Sequence, residues 1–105
     1  MYIRDVFRRT VARFPERVAA VDSTAGTRYT YGEWDERVRA VAGSLQQAGV
    51  RESDRVGAVM GNRIELATLF WATQLVGATF VPLHFQSSPE ELSYLIDNAT
   101  PAILF

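Results

Sequence analysis

The spacing of apolar residues changes period along the chain, and each change marks an element. Ile3, Val6, Phe7, Val11 and Phe14 recur at helical spacing, so one stripe faces a core while Arg4, Arg8, Arg9 and Arg13 lie mostly elsewhere. Pro15 stops this helix, since proline has no amide hydrogen to donate and its ring clashes with the preceding turn. "RVAAVDS" then predicts a short strand, turned by Ala25-Gly26 into "TRYTY" to make a hairpin. Thr30 and Glu33 form a T-x-x-E capping box ahead of Trp34, Val38, Val41, Ala42 and Leu45 on one helix face, with Gly49 as the C-cap.

"DRVGAVM" is a buried-strand candidate, and Asn62 with Glu65 repeats the capping pattern before "IELATLFWATQLV". That helix is apolar nearly all round up to Gly77, which predicts cover on several sides. "TFVPL" follows as a strand, Ser88, Pro89 and Glu91 open a third boxed helix carrying Leu92, Leu95 and Ile96, and "AILF" begins a further strand. Strands and helices joined by short loops predict a three-layer α/β fold, with a mainly parallel sheet flanked by helices and right-handed crossovers, beside an N-terminal helix and β-hairpin. Parallel strands covered on both faces read as continuous apolar runs, as "VGAVM", "TFVPL" and "AILF" do.

A length of 105 residues allows one domain with one core. An apolar fraction of 48%, a charged fraction of 22% and a net charge of −1 are ordinary, and this balance gives no reason to propose nucleic acid or an anionic membrane as partner. The absence of cysteine and the single histidine argue against disulfides and an all-protein zinc site. "MYIRDVFRRTVARF" is arginine-rich enough to be weighed as an organelle presequence or a surface-binding helix, but its apolar stripe favours a core-packed first helix. No apolar run approaches the roughly 20 residues of a membrane span, and with no signal-peptide pattern the expected location is cytoplasmic. All eleven basic residues are arginine, so chemistry that requires a lysine amine has no donor here.

Ligands of open α/β sheets bind at the carboxyl ends of strands, which directs attention to Gly61-Asn62 and to His84-Phe85-Gln86-Ser87. "GAVMGN" is not a G-x-G-x-x-G fingerprint, and a tight turn explains it better than phosphate binding. Ser87 and Ser88 suit an anion at a helix N-terminus, but helix capping accounts for Ser88 as well. His84 stands where acid–base residues occur, yet it has no histidine or cysteine partner, and Glu90 and Glu91 fit the first turn of a helix, which favours a structural role. Asp35, Glu36, Arg37 and Arg39 read as a solvated helix face, and Phe70 and Trp71 as core. No residue is assigned a catalytic, cofactor-binding or metal-binding role.

A resemblance supplies what these residues leave open. Thr30, Tyr31, Gly32, Glu33 and Trp34 resemble the early T-Y-x-E-L motif of the adenylate-forming superfamily, with tryptophan for leucine. Gly49, Val50, Asp54, Arg55 and Val56 resemble its G-V-x-x-G-D-R-V motif, with Ser53 where glycine is usual, and Asn62 and Glu65 follow that strand as in the family. Val76, Gly77, Ala78, Val81, Pro82 and Leu83 resemble A-G-A-x-x-V-P-L, followed by P-E-E-L as Pro89, Glu90, Glu91 and Leu92. The order and spacing of these motifs are those of acyl-CoA synthetases, luciferases and peptide-synthetase adenylation domains.

The resemblance implies that residues 1–105 are an N-terminal scaffold segment of a larger adenylation domain. It further implies an enzyme that uses ATP and magnesium to turn a carboxylate into an acyl-adenylate and passes the acyl group to a thiol such as coenzyme A. Peptide-synthetase domains usually have aspartate where His84 stands, which tilts the expectation toward a fatty or aryl acid. The family's phosphate loop, acidic ribose ligand, hinge and catalytic lysine have no counterpart here, so the 105-residue chain alone is expected to be inactive, with the remainder of the domain as partner. The apolar "PAILF" ending suggests a strand interrupted at a boundary and self-association of the chain. The alternative is a stand-alone, non-catalytic interaction module derived from the same family, for which a stop codon after Phe105, rather than an open frame with a phosphate loop, is the discriminating observation.

Overall fold

The computed structural model describes residues 3–60, 63–83, 86 and 88–105. Four helices and five strands alternate along it: α1 (Ile3–Arg13), β1 (Val18–Asp22), β2 (Thr27–Thr30), α2 (Tyr31–Gln47), β3 (Arg55–Val59), α3 (Ile64–Val76), β4 (Thr79–Leu83), α4 (Pro89–Ala99) and β5 (Ile103–Leu104). The sheet is parallel, in the order β4-β3-β5, and the hairpin β1-β2 forms a separate antiparallel pair. The connection β3-α3-β4 runs one way across the sheet and β4-α4-β5 runs back. With right-handed crossovers, that reversal places α3 and α4 on opposite faces, giving the three layers expected.

Local signals set the helix ends. The Thr30 side chain accepts from the Glu33 amide at 3.2 Å while the Glu33 carboxylate accepts from the Thr30 amide at 2.9 Å, which closes the capping box of α2. The C-cap of α2 is Ala48 rather than the expected Gly49, which stands one residue beyond it in the left-handed conformation at φ 92° that glycine adopts without steric cost. α3 departs from the expected pattern: its N-cap is Arg63, with no side-chain capping bond, and Asn62 lies outside the described residues. Gly77 ends α3 at φ 82° as expected. At α4 the Ser88 hydroxyl accepts from the Glu91 amide, so one half of the expected box is present.

The core lies between α2, α3 and the sheet. Val38, Leu45, Val56, Ala58 and Ala72 are almost wholly buried, and Phe7 docks against them with its ring stacked on Trp71 and edge-on to Trp34. α3 packs against α1, α2, β1 and β4, which accounts for its apolar circumference; Trp71 packs against the core as expected, while Phe70 is half-buried, edge-on to Trp71 and Phe80, and stands outside the core. Two buried threonines are satisfied locally: Thr73 donates to the Leu69 carbonyl, and Thr68 donates to the Ile64 carbonyl while accepting from the Trp34 indole at 2.9 Å. Arg55 ties the sheet to α4 by donating to the Ala99 carbonyl and the Thr100 hydroxyl, both at 2.8 Å.

Two sequence expectations need correction. Of the predicted α1 stripe only Phe7 is buried, while Ile3 and Val6 are about half exposed, because α2 and α3 cover one side of α1 and nothing described covers the other. The strands are also less uniformly enclosed than their apolar runs imply: β3, in the centre, is buried, but Thr79 and Pro82 of β4 and Leu104 of β5 are exposed because both outer strands have an open edge. In the hairpin, a register shift between Val18 and Ala20 turns Val18 and Val21 to solvent together, so strict alternation fails there.

Candidate functional site

Gly61, Asn62, His84, Phe85 and Ser87, five of the six loop residues singled out as positions for chemistry, lie outside the described residues. Among the described residues, the fold forms a groove of about 460 Å³ at the carboxyl ends of β3 and β5. Met60 and Phe105 come from the ends of those strands, Ile64 and Leu69 from α3, and Tyr29 and Arg37 from β2 and α2. The Phe105 backbone continues the ladder, donating to the Gly57 carbonyl and accepting from the Val59 amide, and this holds its half-exposed ring at the groove.

The groove is apolar with few polar groups. The Arg37 guanidinium lies 4.8 Å from the centre of the Tyr29 ring, a cation–π contact. The Asp22 carboxylate is used locally, accepting from the amides of Thr24 and Ala25 in the hairpin turn. A second hollow of about 790 Å³ lies on the Trp34 side of the hairpin and shares Asp22, Ala25, Ile64 and Glu65 with the first. Asp35 and Arg39 form an ion pair at 2.8 Å one turn apart, in which Arg39 is exposed as expected for a solvated face while the Asp35 side chain is largely covered. Among the described residues, the Glu33 carboxyl is held below its ordinary value first by the Thr30 amide and then by the Thr30 hydroxyl.

Among the described residues, these groups do not make a reacting constellation. No cluster of three His, Cys, Asp or Glu side chains able to hold a metal ion occurs among the described residues. The residues present do not fit a magnesium–nucleotide: the groove offers one guanidinium, already stacked on tyrosine, and the chain has no lysine. Neither groove was legible in the sequence, because their walls come from hairpin, helices and strand ends far apart along the chain.

A parallel α/β layer with a hairpin at its side and an apolar crevice at its strand ends defines the class as a parallel α/β domain. Residues 7–105 match the family model of the AMP-binding enzymes, and the chain belongs to that family. It is 36% identical over 95 residues to an uncharacterised protein of Mycobacterium tuberculosis, covering 90% of this chain and 54% of the relative. It is 32% identical over 97 residues to a medium/long-chain-fatty-acid–CoA/3-oxocholest-4-en-26-oate–CoA ligase of Mycolicibacterium smegmatis, covering 92% of this chain and 17% of that one. A structure from Rhodopseudomonas palustris described as a putative long-chain-fatty-acid CoA ligase superposes with a TM-score of 0.90 at 30% identity, over 99% of this chain and 26% of the other. The relatives comprise acyl-CoA ligases and peptide-synthetase adenylation enzymes, and the chain corresponds to an N-terminal part of them, spanning about half of the shortest named here. No described helix is long and apolar enough to cross a membrane.

Proposed function

We propose that this chain is the N-terminal scaffold of an ATP-dependent ligase that activates a carboxylic acid, fatty or aryl, as its acyl-adenylate and transfers it to coenzyme A. The observation that carries this is the family match from residue 7 to residue 105 in a stretch that has no lysine and whose crevice does not fit a magnesium–nucleotide. ATP, magnesium and coenzyme A therefore belong to the rest of the adenylation domain. What this chain contributes is order: β3 at the centre of a parallel sheet, α2 and α3 packed against it, and strand ends held at one rim.

The test is a chimera in which this chain replaces the corresponding stretch of the Rhodopseudomonas palustris ligase. The expected result is a folded enzyme with carboxylate-dependent ATP–pyrophosphate exchange and acyl-CoA formation, while the 105-residue chain alone shows neither. A folded but inactive chimera, or exchange by the chain alone above a mock preparation, overturns the proposal.

A second reading has one observation in its favour. The Mycobacterium tuberculosis relative is less than twice as long as its 95 matched residues, so this scaffold recurs in a chain far shorter than the ligases. A stand-alone, non-catalytic interaction module fits that length, and the inactive chimera is the outcome that would select it.

A further inference from the structure

The net charge of −1 conceals a local excess. Within ten residues of α1 and its exit stand Arg8, Arg9, Arg13 and Arg17, and no ion pair to any of them exists among the described residues. Arg13 and Arg17 lie over the same Phe14 ring, at 5.2 and 4.2 Å from its centre, so the contact gathers two cations at one place. The acidic residues of this segment are Asp5, which has an interaction of its own, and the exposed Glu16, which leaves the segment positive.

Beside these charges, on one side of α1, Ile3 and Val6 are 50% and 49% exposed, followed along the same side by the exposed Arg9 and Arg13. Phe7 faces the core, so the helix is already anchored and keeps this side for another surface. Aliphatic side chains next to unpaired guanidinium groups fit a surface that is anionic outside and apolar just beneath, which is a bilayer with anionic headgroups. Single-stranded nucleic acid fits less well, because stacking needs a free aromatic face and the Phe14 ring is engaged by Arg13 and Arg17.

We propose that α1 and the turn after it form a peripheral docking surface for anionic lipid, with Arg9, Arg13 and Arg17 at the headgroups and Ile3 and Val6 inserted beside them. The binding is reversible, since an arginine contributes about a fivefold gain in partitioning and no acyl anchor is involved.

The experiment is co-sedimentation of the purified 105-residue chain with vesicles of phosphatidylcholine alone or with added phosphatidylserine. Binding is expected only with phosphatidylserine, and it weakens as salt shrinks the screening length from about 10 Å at 0.1 M to about 3 Å at 1 M. The double variant Arg9→Gln, Arg13→Gln is expected to lose about 25-fold in partitioning, and Ile3→Ser, Val6→Ser about tenfold, while Arg51→Gln, away from α1, changes nothing. Circular dichroism and the thermal midpoint of each variant establish that it is folded. Equal binding to neutral vesicles, no binding to either, or a loss with Arg9→Gln, Arg13→Gln but none with Ile3→Ser, Val6→Ser overturns the proposal. So does single-stranded RNA binding as tight as that of phosphatidylserine vesicles, which would mark a general polyanion surface.

Discussion

Ser53 adopts φ 70°, a left-handed conformation that costs a residue with a Cβ atom about 1–2 kcal/mol. It stands where the resembled family motif has glycine, and its amide donates to the Gly77 carbonyl, which holds the turn against the end of α3. Ser53→Gly removes the strain but loosens the unfolded chain by about 0.5–1 kcal/mol, so a net stabilisation of about 0.5–1 kcal/mol is expected in a denaturant titration. At Thr30 the reciprocal bonds with Glu33 predict a cost of about 0.5–2 kcal/mol for Thr30→Ala. The Glu33 carboxyl is held below its ordinary value, so its contribution is complete above that value and is lost as pH falls through the lowered one. Glu33→Gln should remove that portion of the acid-side fall in the thermal midpoint, and an unchanged pH profile would contradict the assignment.

At the scale of elements, β5 is held by close approach. A Cβ on Gly57 would sit 3.0 Å from Leu104 Cδ1 and 3.3 Å from Pro101 Cβ; leucine can swing away, but the proline ring is fixed in the chain. Gly57→Val is therefore expected to push β5 off β3, at about 1–3 kcal/mol as an overpacked contact. Hydrogen exchange checks this directly, because the Phe105 amide, bonded to the Gly57 carbonyl, should lose protection before the amides that pair β3 with β4. The helix ends were legible as short patterns: Thr30 with Glu33 and Ser88 with Glu91 need only residues three apart. The solvent exposure of Ile3 and Val6 was not, because periodicity defines a stripe but not the width of the neighbour that covers it.

For the whole molecule, β5 lies at the sheet edge with Leu104 and Phe105 43% and 47% exposed beside an apolar groove. An open edge with apolar side chains favours pairing with another chain. The weight-average mass in light scattering is expected to rise with concentration, and replacing Leu104 by Lys and Phe105 by Glu should hold the chain monomeric. A parent that stays monomeric throughout would show that the chain protects its own edge. Such pairing is distinct from lipid docking, which uses α1 and depends on salt in the opposite sense, since apolar burial is not weakened by screening.

The sequence by itself determined the element order, the parallel α/β class and the family resemblance. Those depend on apolar period, capping residues and turn residues within a few positions of one another, as at Thr30, Gly77 and Ser88. Only the tertiary structure decided the strand order β4-β3-β5, the groove shared by Tyr29, Arg37, Met60 and Phe105, and the exposed side of α1. The reason is physical: a crossover brings together residues tens of positions apart, and burial depends on what packs above a side chain. Phe7 and Val6 are neighbours of similar hydrophobic character, yet α2 and α3 enclose the first and leave the second in water.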